Sequence, residues 1–226
     1  MKLTKKTGIF KLILKFVIGV LVIPVAIGVS IAFYDRIKSI NELAGNFNYF
    51  LWGIAGYAAL HLLFYKPTYL YVLGHETVHA GMAWIFGGKV KSFKVSKEGG
   101  SVASDKTNTV IELSPYFVPI YAIIITIVYF VIASSYNING AVFTFLIGMA
   151  LAFHMISTIE VMKIRQPDII KSGYLFSIMM VYVLNIVVIS VMFSLLFPGF
   201  SAKKFFVDTW NFSGDIYVRV VRQLFF

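Results

Sequence analysis

The sequence predicts an all-α multispanning membrane protein of about six transmembrane or re-entrant helices, with a short β-hairpin after a helix that carries an H-E-x-x-H motif. Three observations point there. The 226-residue chain is 59% hydrophobic with a mean hydropathy of +0.83, far above a soluble globular domain. It contains six apolar runs, each close to the roughly 20 residues that cross a bilayer. Its only sizeable polar insert, Gly87 to Thr109, has no helical period.

The elements follow in order. The first run, Phe16 to Tyr34, comes after Lys2, Lys5, Lys6, Lys11 and Lys15. Its apolar core exceeds the roughly 7 to 15 residues of a signal peptide, so a retained anchor is expected. The second, Phe47 to Tyr65, is joined to the third only by Lys66-Pro67 and is read as crossing or re-entrant. The third, Thr68 to Phe86, holds His75-Glu76-Thr77-Val78-His79. Lys89 to Val95 is rich in β-formers, Glu98-Gly99-Gly100 supplies a turn, and Ser101 to Ser104 returns. Pro115 and Pro119 are expected to bend or unwind the start of the fourth run, Val110 to Ala133. Ala141 to Val161 and Gly173 to Phe197 complete the six. From Ser201 the tail mixes Lys203, Lys204, Arg219 and Arg222 with Phe205, Phe206, Trp210, Phe225 and Phe226, a composition suited to a membrane interface. The expected organisation is one integral membrane domain over 1–226: anchor segments in 1–67, a core in 68–197 and an interfacial tail in 198–226.

The net charge is +10, but the lysines lie in short loops and at the N-terminus, which points to lipid headgroups and away from nucleic acid. If all six runs cross, ten basic residues fall on each side and orientation stays open. A re-entrant second run would instead gather the N-terminus, the loop from Lys89 to Lys106, and Lys163, Arg165 and Lys171 in the cytoplasm. The absence of cysteine excludes disulfides and thiolate metal ligands. Oligomeric state leaves no readable sign.

Residues four apart share a helix face, so His75 and His79 can reach one zinc ion. Glu76 stands beside that face, where a carboxylate can take a proton from an attacking water and hand it to a leaving amine. A charged residue at a bilayer centre costs roughly 2.5 to 3.5 kcal/mol on insertion scales, so three ionisable side chains there call for a functional reason. The plain alternative is polar glue between helices.

Gly74-His75-Glu76-Thr77-Val78-His79-Ala80, followed by Phe86-Gly87-Gly88-Lys89-Val90 and Phe93, resembles the site-2 protease family of intramembrane zinc metallopeptidases, in particular its small uncharacterised bacterial members. Ser114-Pro115-Tyr116 and Gln166-Pro167-Asp168-Ile169 with Gly173 belong to the same resemblance, which is closest from Gly74 to Tyr116 and thinner from His154 to Asn185. It implies a Zn2+ cofactor, hydrolysis of a peptide bond in or near a transmembrane segment of a protein or peptide substrate, and a place in the bacterial cytoplasmic membrane. The family takes its third zinc ligand from an Asp-Gly sequence on a later helix. No Asp-Gly pair exists here, and Asp168 is the positional counterpart. A carboxylate there would complete a His, His, Asp set.

His154, inside an apolar run, is the rival ligand or a supporting partner of the site. Tyr116 is expected to steady an oxyanion, unless Pro115 and Pro119 serve only as a kink, and Asn185 to bind unwound substrate or to act as helix glue. Pro115, Tyr116, Asp168 and Asn185 are the expected walls of a polar cavity admitting water. The hairpin edge is expected to hold substrate extended by strand addition, a solvated basic loop being the plain alternative. His61 reads as structural, and Glu160 as an i,i+3 partner of Lys163.

Two other readings stay open. Prenyl-protein-type zinc proteases follow H-E-x-x-H with E-x-x-x-D, but Glu160 is followed at the fourth position by Ile164. A metal-binding transporter or non-catalytic membrane receptor would be expected to spread ionisable groups over repeated halves, whereas the cluster here sits on one helix.

Overall fold

The computed structural model describes residues 2–40, 46–63, 66–164 and 166–226, with side chains from residue 9 onward. Tyr65, the expected end of the second run, and Arg165 lie outside the described residues. The elements are α1 (Lys2–Leu21), α2 (Ile23–Ile37), α3 (Phe47–Leu63), α4 (Thr68–Ile85), β1 (Val90–Val95), β2 (Gly100–Ser104), α5 (Thr109–Leu113), a 3-10 turn (Ser114–Tyr116), α6 (Ile120–Ala133), α7 (Gly140–Met162), α8 (Pro167–Lys171), α9 (Tyr174–Leu196) and α10 (Ala202–Phe225).

The fold is mostly helical with one small antiparallel sheet, as expected. Among the described residues three helical spans are long and apolar enough to cross a membrane: Ile9–Ile37, Gly140–Met162 and Tyr174–Leu196. Thr109–Tyr116 and Ile120–Ala133 make a fourth if taken together, bent by 74°. Pro115 and Pro119 stand at that bend, because neither ring can supply the N–H a continuous helix needs. Pro24 marks the α1/α2 boundary for the same reason, although Val22 N–H still reaches Ile18 O at 2.9 Å and Ala26 N–H reaches Val22 O at 2.8 Å.

The chain divides into two compact units, Glu42–Gln166 and Met1–Asn41 with Pro167–Phe226. In this division α3 falls with the motif helix α4, and α1 and α2 fall with α10.

In the first unit α3 packs along α7. Phe50, Gly53, Tyr57 and His61 recur at three- and four-residue spacing and form one buried stripe. The backbones touch: a Cβ on Gly53 would meet Phe145 O at 2.0 Å, and one on Gly148 would meet Phe50 O at 2.2 Å. α3 is unbroken from Phe47 to Leu63, so no re-entrant turn falls inside it. α4 stops at Gly87, whose φ of 71° suits glycine, and Gly88 N–H closes the end on Ala83 O at 2.7 Å. The expected hairpin follows, pairing Phe93 with Val102 and Val95 with Gly100, with a register irregularity between Val90 and Ser92. Asn108 then caps α5 by accepting from Ile111 N–H at 2.9 Å.

In the second unit the tail is one helix, α10, running antiparallel along α2. Arg36 pairs with Asp208 at 3.1 Å, Gly28 lies against Ser213, and the Tyr217 hydroxyl donates to Leu21 O. Phe33, Phe193 and Phe200 pack as a cluster of rings, with centroids 5.7 to 6.0 Å apart, joining α2 to α9 and the turn after it.

Candidate metal centre

α4 sets the geometry of the motif. Ligand nitrogens of His75 and His79 lie within 4.8 Å of one another, and the rings meet edge to face at a centroid distance of 4.8 Å. This is the expected result of four-residue spacing on one face. Glu76, one residue round the helix, is buried. Both histidines are half-buried.

Each imidazole turns Nδ1 towards a protein oxygen. His79 Nδ1 lies 2.9 Å from Ile111 O, and a carbonyl can only accept, so this nitrogen carries the proton. Ser114 Oγ donates to the same carbonyl at 3.0 Å. The Asn108 cap, α5 and Ser114 thus build an anchor for the His79 ring. His75 Nδ1 lies 3.2 Å from the Tyr71 hydroxyl, one turn back on the same helix. The carbonyl puts the His79 proton on Nδ1 and makes Nε2 that ring's electron-pair donor, while the Tyr71 hydroxyl, able to donate or accept, orients the His75 ring without setting its tautomer. The donor set therefore fits a metal that accepts imidazole nitrogen.

Tyr116 is fully buried, and its ring stands edge-on to His75 at 5.2 Å. Pro115 and His154 line, with Tyr71, His75, Tyr121 and Phe153, a recess of about 20 Å³ beside His75, room for one water. His154 thus faces the recess from α7. Gly100, the first residue of β2, lies directly on the motif carboxylate: a Cβ there would sit 2.5 Å from Glu76 Cγ and 2.8 Å from Oε1. The hairpin accordingly folds back along α4 as far as Glu76 and Val72.

Asp168 and Asn185 belong to the other unit. Asp168 stands in the first turn of α8. Asn185 is buried in α9, where its amide donates to Val181 O at 2.9 Å, one turn back on its own helix. Of the four expected cavity walls, Pro115 and Tyr116 reach the His75 surroundings within their unit.

Glu160 differs from its expected pairing with Lys163. Its carboxylate accepts from Lys66 and lies 3.2 Å from His61 Nε2, both on elements far away in sequence. His61 is buried, as a structural histidine should be, with Nδ1 3.2 Å from the Tyr57 hydroxyl. Sequence reasoning missed Tyr71, Ile111 and Gly100. The first was signalled by its four-residue offset from His75. Nothing in the sequence marks a particular carbonyl as the acceptor, or a particular glycine as lying on the carboxylate. In comparisons with protein-family models, curated proteins and solved structures, nothing matched this chain.

Proposed function

We propose that this chain is an intramembrane zinc metalloprotease of the site-2 protease kind, with about six transmembrane or re-entrant helices in a bacterial cytoplasmic membrane. On this reading it hydrolyses a peptide bond in or near a transmembrane segment of a membrane-protein substrate. The observation that carries the reading is the motif face of α4. Two imidazoles on one helix converge, with Nδ1 of each turned to a protein oxygen, and a buried carboxylate stands beside them. Two imidazoles held on one helix face beside a buried carboxylate are a donor set that suits a cation.

His75 and His79 would hold the metal, and Asp168 is the third ligand on this proposal, with His154 supporting the site from the recess. Zinc, when bound, supplies Lewis-acid polarisation of the scissile carbonyl and lowers the pKa of water. Glu76 accepts the proton of the attacking water and returns it to the leaving amine. Its burial strengthens those interactions by excluding bulk solvent. Ile111 O and the Tyr71 hydroxyl keep the two rings aimed through the reaction. The hairpin supplies what a helical substrate lacks, an edge on which an unwound segment can pair as an added strand. Because β2 begins on Glu76, a segment on that edge is presented beside the base.

Glu76→Gln tests the reading in purified protein reconstituted with a transmembrane peptide. Zinc should remain stoichiometric while hydrolysis falls by about 10²- to 10⁴-fold, the usual contribution of a general base. Near-normal hydrolysis by that variant sinks the protease reading.

A further inference from the structure

The charges of α10 take no part in the site described above. Asn211, Asp215 and Arg222 recur at four- and seven-residue spacing, and Arg219 stands one turn after Asp215, so the four share one face of the helix. All four are exposed, and among the described residues neither Asp215 nor Arg219 is in an ion pair. At about 100° per residue Asp215 points almost opposite to Ser213, the residue that seats α10 on α2.

The depth of that face follows from the pairing with α2. A Cβ on Gly28 would meet the Ser213 backbone N at 2.8 Å, which sets these two residues at one level. The helices are antiparallel, so Asp215 comes level with Ala26 and Arg219 with Val22. The apolar run Phe16 to Tyr34 has its midpoint at Val25 and lies inside the span Ile9–Ile37. With that span in a bilayer, a carboxylate and a guanidinium stand at mid-depth with their charges turned outward. Lipid tails cannot satisfy them, and ionisable groups at such depth are held against protein or water instead. Headgroups lie too far away, and the mixed sign of the stripe does not suit an anionic surface.

The order of the signs selects the cover. Copies inserted the same way round are related by a two-fold axis along the membrane normal, so two α10 helices would run parallel with like residues at one level. Side chains on a helix lean towards its N-terminus, and the long Arg219 side chain reaches back towards the level of Asp215. In such a pair each Asp215 meets the Arg219 of the other copy, giving two reciprocal ion pairs. The Asn211 amides, able both to donate and to accept, meet near the axis. We propose that this face of α10 is where a second copy of the chain docks, forming a two-fold dimer within the membrane. The inference needs the span Ile9–Ile37 to lie in a bilayer and does not need the hydrolase reading.

The chain has no cysteine, so a disulfide at a single introduced thiol has to join two molecules. Asn211→Cys and Trp210→Cys are oxidised in native membranes. Trp210 is 81% exposed on a flank about 100° away, so chance collision would link it at least as readily. Asn211→Cys should yield the homodimer at least about tenfold faster than Trp210→Cys, because docking holds its thiols within disulfide reach. Equal rates, or linkage of Asn211→Cys to a different protein, overturn the second copy.

Asp215→Arg and Arg219→Asp, each combined with Asn211→Cys, should slow the linkage by about tenfold or more, since like charges then face one another. Expressed together with different tags, these two variants present opposite charges to each other, and the mixed dimer should link close to the parent rate. Undiminished linkage in either variant alone, or none in the mixture, overturns the pairing. The mixture also separates lost docking from lost folding, because two misfolded chains cannot restore each other. A dimer formed by a protein that never cleaves a membrane peptide leaves this inference standing and removes the protease reading instead.

Discussion

Tyr57 with His61 on α3 and Tyr71 with His75 on α4 are the same local device used twice. In each the hydroxyl lies 3.2 Å from Nδ1 one turn on, and the rings are tilted by 48° at centroid distances of 5.7 and 5.6 Å. What lies across from the ring separates them. His61 turns Nε2 to the carboxylate of Glu160, which Lys66 also reaches. His75 instead meets the edge of a second histidine and of Tyr116. A carboxylate is a partner for a protonated imidazole, whereas two imidazoles facing one another repel when both are charged and suit a shared cation when neutral. The first pair is tied into a polar contact with Glu160 and Lys66, and the second stands on the face proposed to hold a metal, although their spacing is identical.

The sharpest way to break this comparison is to delete each histidine. His75→Ala should abolish both zinc binding and hydrolysis, because one of only a few ligands is gone. His61→Ala should keep zinc and lose about 1 kcal/mol of stability with the hydrogen bond to Tyr57 and the contact with Glu160. Metal analysis with thermal unfolding of both purified variants decides it, and zinc lost from His61→Ala would show that the two pairs are not distinct in role.

A smaller effect sharpens the ligand set. Asp168→Ala should lose zinc on purification, while His154→Ala keeps it and loses about 10- to 100-fold in activity, as expected of a partner that only orients the site. Asp105→Ala is the control, since that carboxylate accepts from Lys89 N–H at 2.7 Å at the base of the hairpin. Zinc lost only from His154→Ala would make this a three-histidine site and count against the proposed site-2 protease reading at its third ligand.

The smallest expected effect concerns the hairpin. Gly100→Ala places a methyl against Glu76, which must move the carboxylate or lift the strand. A misplacement of this kind costs up to about 100-fold in rate, with zinc unchanged. Unaltered kinetics would mean that β2 does not constrain the base.

The legible parts of this molecule are those whose signal is local. H-E-x-x-H gives a shared helix face because four residues make about one turn, and the hairpin is announced by β-formers around Gly99 and Gly100. Pro115 and Pro119 announced the bend because a missing N–H acts on its own helix. The rest depends on tertiary partners. Glu160 has Lys163 within reach in sequence, yet it bonds Lys66, 94 residues away, because the packing of α3 on α7 brings that end of the helix pair together. The break between α1 and α2 escaped a hydropathy reading because Pro24 is tolerated in the first turn of a helix and interrupts no apolar pattern.

The pairing of α2 with α10 has a consequence for the order of synthesis. The unit holding His75 and His79 is one continuous stretch, whereas the other is split around it, its early helices meeting α10 only after some 160 further residues have been made. The motif unit can therefore mature first. Nascent chains halted after Gln166 should show α3 to α7 resistant to protease while α2 remains cleavable, and equal protection of both would contradict that order. Until α10 emerges, Arg36 waits as a charge whose counterion has not yet been translated.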